Sequence, residues 1–218
     1  MEETTVRITA VRDVGPNAIA IDVETPPGFD AAPGQFVKFV ISVDGEQQSR
    51  FYTISSPQVG ETFELTVGID PDGGVSPHLR DLGPDDEVVI SGPYGNAYYE
   101  GEHSVCLIAG GPGVGPAVGI AERALDDGGE AAIVYRGDDP IHGNRLDRIE
   151  RAGGFVRVLD SSDPLSAGVE AGLAFMNEED VGEVQVFVYR FADFLDDAMS
   201  AIAAAGGEPD RAKVENFG

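Results

Sequence analysis

Apolar residues along this 218-residue chain recur at two different periods, and the period changes near the middle. In the first half they alternate with polar ones. VRITAV (6–11) and AIAIDV (18–23) flank the turn residues Gly15, Pro16 and Asn17, and QFVKFVIS (35–42) follows Pro33-Gly34. FYTIS (51–55) and TFELTVGI (62–69) lie either side of Pro57 and Gly60, and EVVISG (87–92) closes the set. Alternation marks strands with one buried face. Six short ones with turn punctuation predict a closed or partly closed antiparallel six-stranded β-barrel. Between the last two, VSPHLRDL (75–82) predicts a single short helix, with Ser76 as its N-cap before Pro77.

The second half has a different rhythm. VCLIA (105–109) is continuously apolar, as a strand covered on both faces must be. A glycine-rich turn and the helical stretch AVGIAERALDD (117–127) follow. AAIVYR (131–136), a helix around 145–152, FVRVLD (155–160), a helix near 166–175, VQVFVY (184–189), a helix over 191–206 and AKVENF (212–217) repeat the alternation. Strands alternating with helices predict a doubly wound α/β parallel sheet. The two rhythms divide the chain near 98–102, giving a barrel domain over 1–100 and an α/β domain over 101–218.

Composition removes several possibilities. No apolar run approaches the roughly 18 residues that a membrane span needs. The opening MEETTVRITAV has neither the basic nor the apolar region of a signal peptide, so a cytoplasmic location without membrane insertion is expected. One cysteine, Cys106, allows no internal disulfide and no four-cysteine cluster, and its apolar setting predicts a buried structural thiol. His78, His103 and His142 have no metal-ligand spacing and are read as surface or capping residues. The formal charge of −25 argues against nucleic-acid binding. Acidic residues are dispersed through loops and helix faces, and Lys38 and Lys213 are the only lysines. That pattern fits adaptation to a high-salt cytosol, where screening shortens the range of self-repulsion.

Three short motifs lie in the barrel half. Arg50, Tyr52 and Thr53 sit on one strand: a guanidinium fork suits a diphosphate, a phenol ring can stack on a flat ring, and a hydroxyl can hydrogen-bond at its edge. Gly73, Gly74, Val75 and Ser76 open the short helix, where glycines permit close backbone approach and free amides favour an anion. Gly92-Pro93-Tyr94-Gly95 ends the last barrel strand.

In this order the motifs resemble those of the ferredoxin–NADP⁺ reductase family, which includes flavin reductases and the reductase components of oxygenases. Arg50, Tyr52 and Thr53 match its Arg-x-Tyr-Ser/Thr flavin motif, Gly74 to Ser76 its Gly-x-Ser/Thr phosphate turn, and Gly92 to Gly95 its Gly-Pro-aromatic-Gly segment. The resemblance implies bound FAD (or FMN), with Thr53 near flavin N5, Tyr52 holding the ring, and Val67 among the flavin contacts. Glu215 and Phe217, in the terminal Val-Glu-Asn-Phe-Gly, resemble the family's C-terminal Glu-x-aromatic and are implied to approach flavin or nicotinamide. Thr53, Tyr52 and Glu215 form the expected catalytic set.

The stretch Gly110-Gly111-Pro112-Gly113-Val114-Gly115-Pro116 looks like the family's pyrophosphate loop, with Pro112 in place of the usual Thr. Pro removes a backbone N–H and a hydroxyl there. Arg136, after the next strand, is placed to pair with a nucleotide 2′-phosphate, whereas Asp138 and Asp139 beside it favour a ribose hydroxyl. A second departure is Tyr189-Arg190-Phe191, where the family has Cys-Gly-Pro. Two readings of it are open. Nicotinamide access is reduced, or Arg190 binds a phosphate or carboxylate while an aromatic covers the flavin. The implied function is electron transfer from NAD(P)H through flavin to an external ferredoxin-like protein, haem protein or small molecule. The rival is a non-catalytic flavin- or nucleotide-binding subunit.

The charge pattern carries its own test. Lowering salt from about 1 M to about 0.01 M lengthens the screening distance from about 3 to about 30 Å, and the thermal midpoint should fall as self-repulsion grows. Equal midpoints at the two salt levels would rule out salt adaptation.

Overall fold

A computed structural model describes residues 2–43, 45–176 and 184–217; the acidic run 178–180 lies outside them. β1 (Thr4–Gly15), β2 (Ala18–Glu24), β3 (Phe36–Val43), β4 (Glu46–Thr53), β5 (Thr62–Gly68) and β6 (Glu87–Tyr94) form an antiparallel sheet in the order β4-β3-β6-β1-β2-β5. Its edges meet. Ile54, just past β4, bridges to Leu65 of β5, and the Ser55 amide donates to the Glu64 carbonyl at 2.9 Å. The sheet thus curls into the partly closed barrel that its alternation predicts. Ile8, Ile21, Val37, Phe39, Leu65 and Ile90 point inward and are buried, and Leu79 of α1 (Ser76–Leu79) joins the same core. Truncating such a side chain to Ala costs about 2–5 kcal/mol.

The rest alternates. β7 (Ser104–Gly110), α2 (Val114–Asp126), β8 (Glu130–Arg136), α3 (Gly143–Arg151), β9 (Phe155–Leu159), α4 (Leu165–Phe175), β10 (Gln185–Arg190), α5 (Ala192–Ala204) and β11 (Lys213–Asn216) build a parallel sheet ordered β11-β10-β7-β8-β9. β7 is buried along its whole length, with α2 and α3 packed on one face of the sheet and α4 and α5 on the other. Strand order reverses between β7 and β10, and open sheets of this kind gather ligands beyond the strand ends at that switch point. Cys106 is buried in the α4–α5 face, and burial pushes its thiol up to about 12.

Among the elements whose bounds differ from their sequence pattern, three have an identifiable local cause. β4 begins at Glu46 rather than 51, because Gln47 and Gln48 are held by pairing with Ser42 and Ile41 of β3 and not by burial of a face. α1 covers only 76–79; Val75 takes the cap position, and Ser76 turns its Oγ back to accept the Asp70 amide at 3.0 Å. α2 starts at Val114, inside the glycine stretch, after a 3-10 turn at Gly111–Gly113.

The helical half stands directly on the barrel through α2. A methyl group at Gly115 would strike the Thr66 side chain of β5, and one at Gly119 would lie 2.6 Å from the Ser55 carbonyl oxygen. Beside this contact Arg145, only 9% exposed, donates to the Ser55 carbonyl at 2.8 Å and to Glu64 and Glu122 at 2.7 Å each. Arg12 reaches Glu64 at 2.9 Å. His142 does occupy the cap position of α3, but it is buried rather than on the surface, and its Nε2 lies 2.7 Å from Thr66 Oγ1. Across the interface Tyr189 donates its hydroxyl to the Ala97 carbonyl beneath Gly34, whose φ of +98° and close neighbours leave no room for a side chain.

This network sets an acid limit on stability. Burial, reinforced by Arg145, lowers the His142 pKa to about 4 against the opposing pull of Glu64. Burial alone would raise Glu64, but Arg145, His142, Ser55 and Arg12 outweigh it and hold the carboxyl below its usual range. Both folded-state values are depressed, so the unfolded chain binds protons first and stability falls with pH. The His142 contribution is complete above its ordinary value near 6.5 and is lost between there and about 4. At about 1.4 kcal/mol per unit it amounts to on the order of 3 kcal/mol; Glu64 extends the loss to lower pH. Denaturant melts of wild type and His142→Gln from pH 7 to pH 4 should show a shallower acid limb in the variant; parallel limbs would remove His142 as the cause.

Candidate functional site

Alternation along β4 sends Arg50 and Tyr52 to one side and Phe51 and Thr53 to the other, and a cleft opens on each. The first, about 490 Å³, is lined by Arg50, Tyr52, Thr53, Pro112, Phe191 and Phe217 among others. The second, about 600 Å³, holds Phe36, Lys38, Tyr94 and Glu215 together with Phe51, Thr53 and Phe217. The shared residues form the ridge between them. Thr53 is buried at this ridge, whereas Phe51 is 63% exposed and stands edge-on to Phe36 at 5.5 Å.

Strand register explains this convergence. Phe36 of β3 pairs with both Thr53 of β4 and Tyr94 of β6, so three strands deliver aromatics and a hydroxyl to one rim. β11 then brings Glu215 beside Tyr189, and Phe217 follows with its amide donating to the Arg190 carbonyl at 3.2 Å. Glu215 is half-buried with its carboxyl pushed upward by that burial. Tyr52 packs edge-on against Phe39 at 5.7 Å, and burial drives its hydroxyl up to about 12, tempered by Arg50. Arg50 is exposed; its guanidinium bonds only the neighbouring Ser49 carbonyl at 2.7 Å and faces no carboxylate among the described residues.

The glycine loop is packed more tightly than its sequence suggests. Gly113, Val114, Gly115 and Pro116 are all buried. A methyl at Gly113 would collide with the Tyr189 carbonyl, just as one at Gly115 would meet Thr66. Pro112 presses on Gly68 of β5, which brings its ring into the wall of the first cleft. Gly110 and Gly111 lie under Arg190. A methyl on Gly110 would be 2.6 Å from that arginine's Cδ and Nη1. Tyr189, Arg190 and Phe191 therefore go three ways: into the interface, across the loop, and into the first cleft, where Phe191 meets Phe217 edge-on at 6.1 Å. Arg136 ends β8 nearby and pairs with Asp197 at 3.0 Å. Among the described residues no cluster of His, Cys, Asp or Glu is arranged to hold a metal, and no helix is long and apolar enough to cross a membrane.

Residues 6–99 match the family model described as the oxidoreductase FAD-binding domain. The match spans nearly the whole barrel. Among curated proteins, the chain is 35% identical to the glycine betaine monooxygenase reductase subunit of Pseudomonas aeruginosa, over 51% of this chain and 32% of that protein. It is 26% identical to the toluate 1,2-dioxygenase electron transfer component of Pseudomonas putida, over 96% of this chain and 66% of that one. The chain thus spans about a third of the length of the first of these relatives. Among solved structures, a ferredoxin NADP⁺ reductase from Neisseria gonorrhoeae with bound FAD and NADP aligns with TM-score 0.79 at 14% identity, covering all of both chains. The flavohem-like FAD/NAD binding domain of a Vibrio cholerae nitric oxide dioxygenase aligns at 0.80 and 18%, over 98% of each. The fold is the two-domain ferredoxin reductase-like fold.

The clefts of the FAD-binding domain fit a flavin. A flat ring system needs aromatic walls and a diphosphate needs an unpaired cation, and Tyr52, Phe217 and Arg50 are of these kinds. The Gly74 and Val75 amides make no backbone hydrogen bond among the described residues, although the Ser76 hydroxyl is engaged with Asp70. Val67 is wholly buried in the barrel core and lines neither cleft. Gly113, Val114, Gly115 and Pro116 are buried against protein, and an added side chain at Gly113 or Gly115 would meet Tyr189 or Thr66. Asp138 is likewise engaged, accepting from the Ser161 amide and hydroxyl at 2.7 and 2.8 Å. Phe36, Phe51, Lys38 and the Pro112 wall escaped the motif reading. The pairing of Phe36 with Thr53 was the available signal, but it is visible only once register is known.

Glycine packing gives a paired test. Gly113→Ala forces the Tyr189 backbone aside and should lower the thermal midpoint of the flavin-free protein by several degrees, as a few kcal/mol of strain does. Gly74→Ala, whose methyl meets nothing within 4 Å, should leave it unchanged. Equal midpoints for the two variants would contradict the packing.

Proposed function

We propose that this flavoprotein transfers electrons from NADH or NADPH, through FAD, to an external acceptor of the oxygenase-component, ferredoxin or haem-protein kind. One observation carries the reading: the barrel's two clefts meet at Thr53, with Arg50 in the first and Glu215 in the second. Bound FAD supplies the chemistry, accepting a hydride and releasing electrons singly or in pairs. The chain's own part is positioning and electrostatics.

Arg50 holds the diphosphate, with the Gly74 and Val75 amides contributing donors. Tyr52 and Phe217, with Phe191 edge-on to it, are the aromatic side chains of the first cleft that would hold the ring. Thr53 offers its hydroxyl at the ridge. Glu215, half-buried and shifted toward its neutral form, is placed to hold or accept a proton beside the reacting ring. Such a group is useful where proton and hydride movements are coupled. Cys106 is buried and is the one cysteine of this sequence, so these residues offer no four-cysteine ligand set for an iron–sulfur cluster. Relatives that serve oxygenases point to an oxygenase component as that partner, and the acidic surface to a high-salt cytoplasm.

Rapid mixing of flavin-loaded protein with NADH and with NADPH tests the reading. Bleaching of the flavin absorbance is expected with at least one donor, and absence of bleaching with both favours the non-catalytic subunit. Arg50→Gln should weaken FAD binding by about tenfold or more, the value of a charged hydrogen bond, read by fluorescence titration. Unchanged FAD affinity would take Arg50 out of the site.

A further inference from the structure

Most cationic side chains of this chain are paired. Among the described residues only Arg7, Arg50, Arg157 and Arg190 have no carboxylate within ion-pair distance, and of these Arg190 alone is not exposed. In a protein with 39 Asp+Glu against 14 Lys+Arg, a half-buried arginine without a carboxylate is a local exception to the prevailing sign. It lies along Gly110 and Gly111 at the switch point, held by no hydrogen bond and resting on the Phe194 ring at 5.7 Å. Arg136 stacks on the same ring at 4.8 Å. Two guanidiniums thus share one aromatic, and Asp197, bonded to Arg136, is 59% exposed. Burial disfavours the charge on Arg190; Tyr135 opposes this effect, and Arg136 adds a smaller repulsion.

We propose that Arg190, backed by Arg136, is the phosphate-binding residue of the switch point and takes the diphosphate of a nucleotide entering over Gly110 and Gly111. The chemistry favours phosphate over carboxylate. Two planar forks can engage several oxygens of a dianion at once, and a dianion relieves the repulsion of both cations. Pro112 has removed the amide and hydroxyl that a loop of this kind would otherwise offer, and Arg190 supplies donors in their stead. Gly110 and Gly111 leave the arginine a bed without side chains, from which it can lift because no hydrogen bond anchors it. Arg190 is a specificity residue here, since it binds a part of the ligand that does not react. The inference rests on the nucleotide-reduced reading above and adds the group by which the nucleotide is held.

Calorimetric titration of the flavin-loaded full chain with inorganic pyrophosphate, ADP-ribose and 2′-phospho-ADP-ribose tests it. Arg190→Gln should weaken pyrophosphate and ADP-ribose by about tenfold or more. Arg190→Lys should recover part of the loss, and Arg136→Gln should weaken the 2′-phosphorylated ligand most. Flavin content and thermal midpoint report folding of each variant. Undiminished or tighter ADP-ribose binding by Arg190→Gln overturns the proposal, because the side chain is then a cover over the loop. So does a wild type that binds none of the three, and pyrophosphate binding without ADP-ribose binding overturns the nucleotide as its source. If ADP-ribose affinity depends on Arg190 while neither NADH nor NADPH bleaches the flavin, the donor reading falls and this one stands. Bleaching with full ADP-ribose affinity in Arg190→Gln gives the reverse.

Discussion

The closeness with which α2 approaches the barrel governs the rest of the structure. Gly115 and Gly119 bring the helix backbone against Thr66 and Ser55, a distance that no side chain permits. Once the helix is that near, Glu64 of β5 and Glu122 of α2 share one arginine, Arg145, which also satisfies the Ser55 carbonyl. A charged triad buried to this degree is not a strong source of net stability, but removing the arginine leaves Glu64 with only Arg12, and Glu122 with only the exposed Arg148, as counter-ions. Its consequence is specificity of docking: only one placement of the two halves satisfies every member. The Tyr189 hydroxyl under Gly34 fixes the far side of the same interface. Between these two anchors β10 and β11 are held in register with β4, so Phe191, Glu215 and Phe217 arrive at clefts whose other walls belong to the barrel.

That geometry also redistributes the work of the glycines. A Gly-rich loop before a helix suggests backbone opened toward a ligand. Here Gly113 and Gly115 make room for the protein itself, and the two glycines that remain, Gly110 and Gly111, carry an arginine. Pro112 presses on Gly68 and closes the first cleft from the loop side.

Much of the fold was legible in the sequence, because its signals are local. Period-2 alternation and turn residues locate all six barrel strands, and the continuous run at 105–109 marks the central strand of a covered sheet. What escaped was held by pairing or by contacts distant in sequence. Gln47 and Gln48 join β4 through the hairpin with β3 and carry no hydrophobic signal. Ser76 has the identity of a cap, yet the Asp70 amide competes for its oxygen. Arg50, Tyr52, Thr53, Glu215 and Phe217 line the two clefts. Val67 does not, since alternation on β5 turns it into the core. Phe36 became visible only through register, and His142 gave no hint of burial because its partner Thr66 lies far away along the chain.

Electrostatics constrains how a redox partner reaches this site. A charge of −25 repels acidic proteins over the long range at low ionic strength, and screening at high salt removes that barrier together with any steering. At the second cleft Lys38 is already neutralised by Glu3 at 2.9 Å, so no free cation marks the rim. What the rim does expose is ring surface, with Phe51 63% and Tyr94 40% accessible. Apolar contact does not weaken with salt as ion pairs do, and kosmotropic ions strengthen it. At high ionic strength, then, the second cleft offers ring surface rather than charge as its main means of contact.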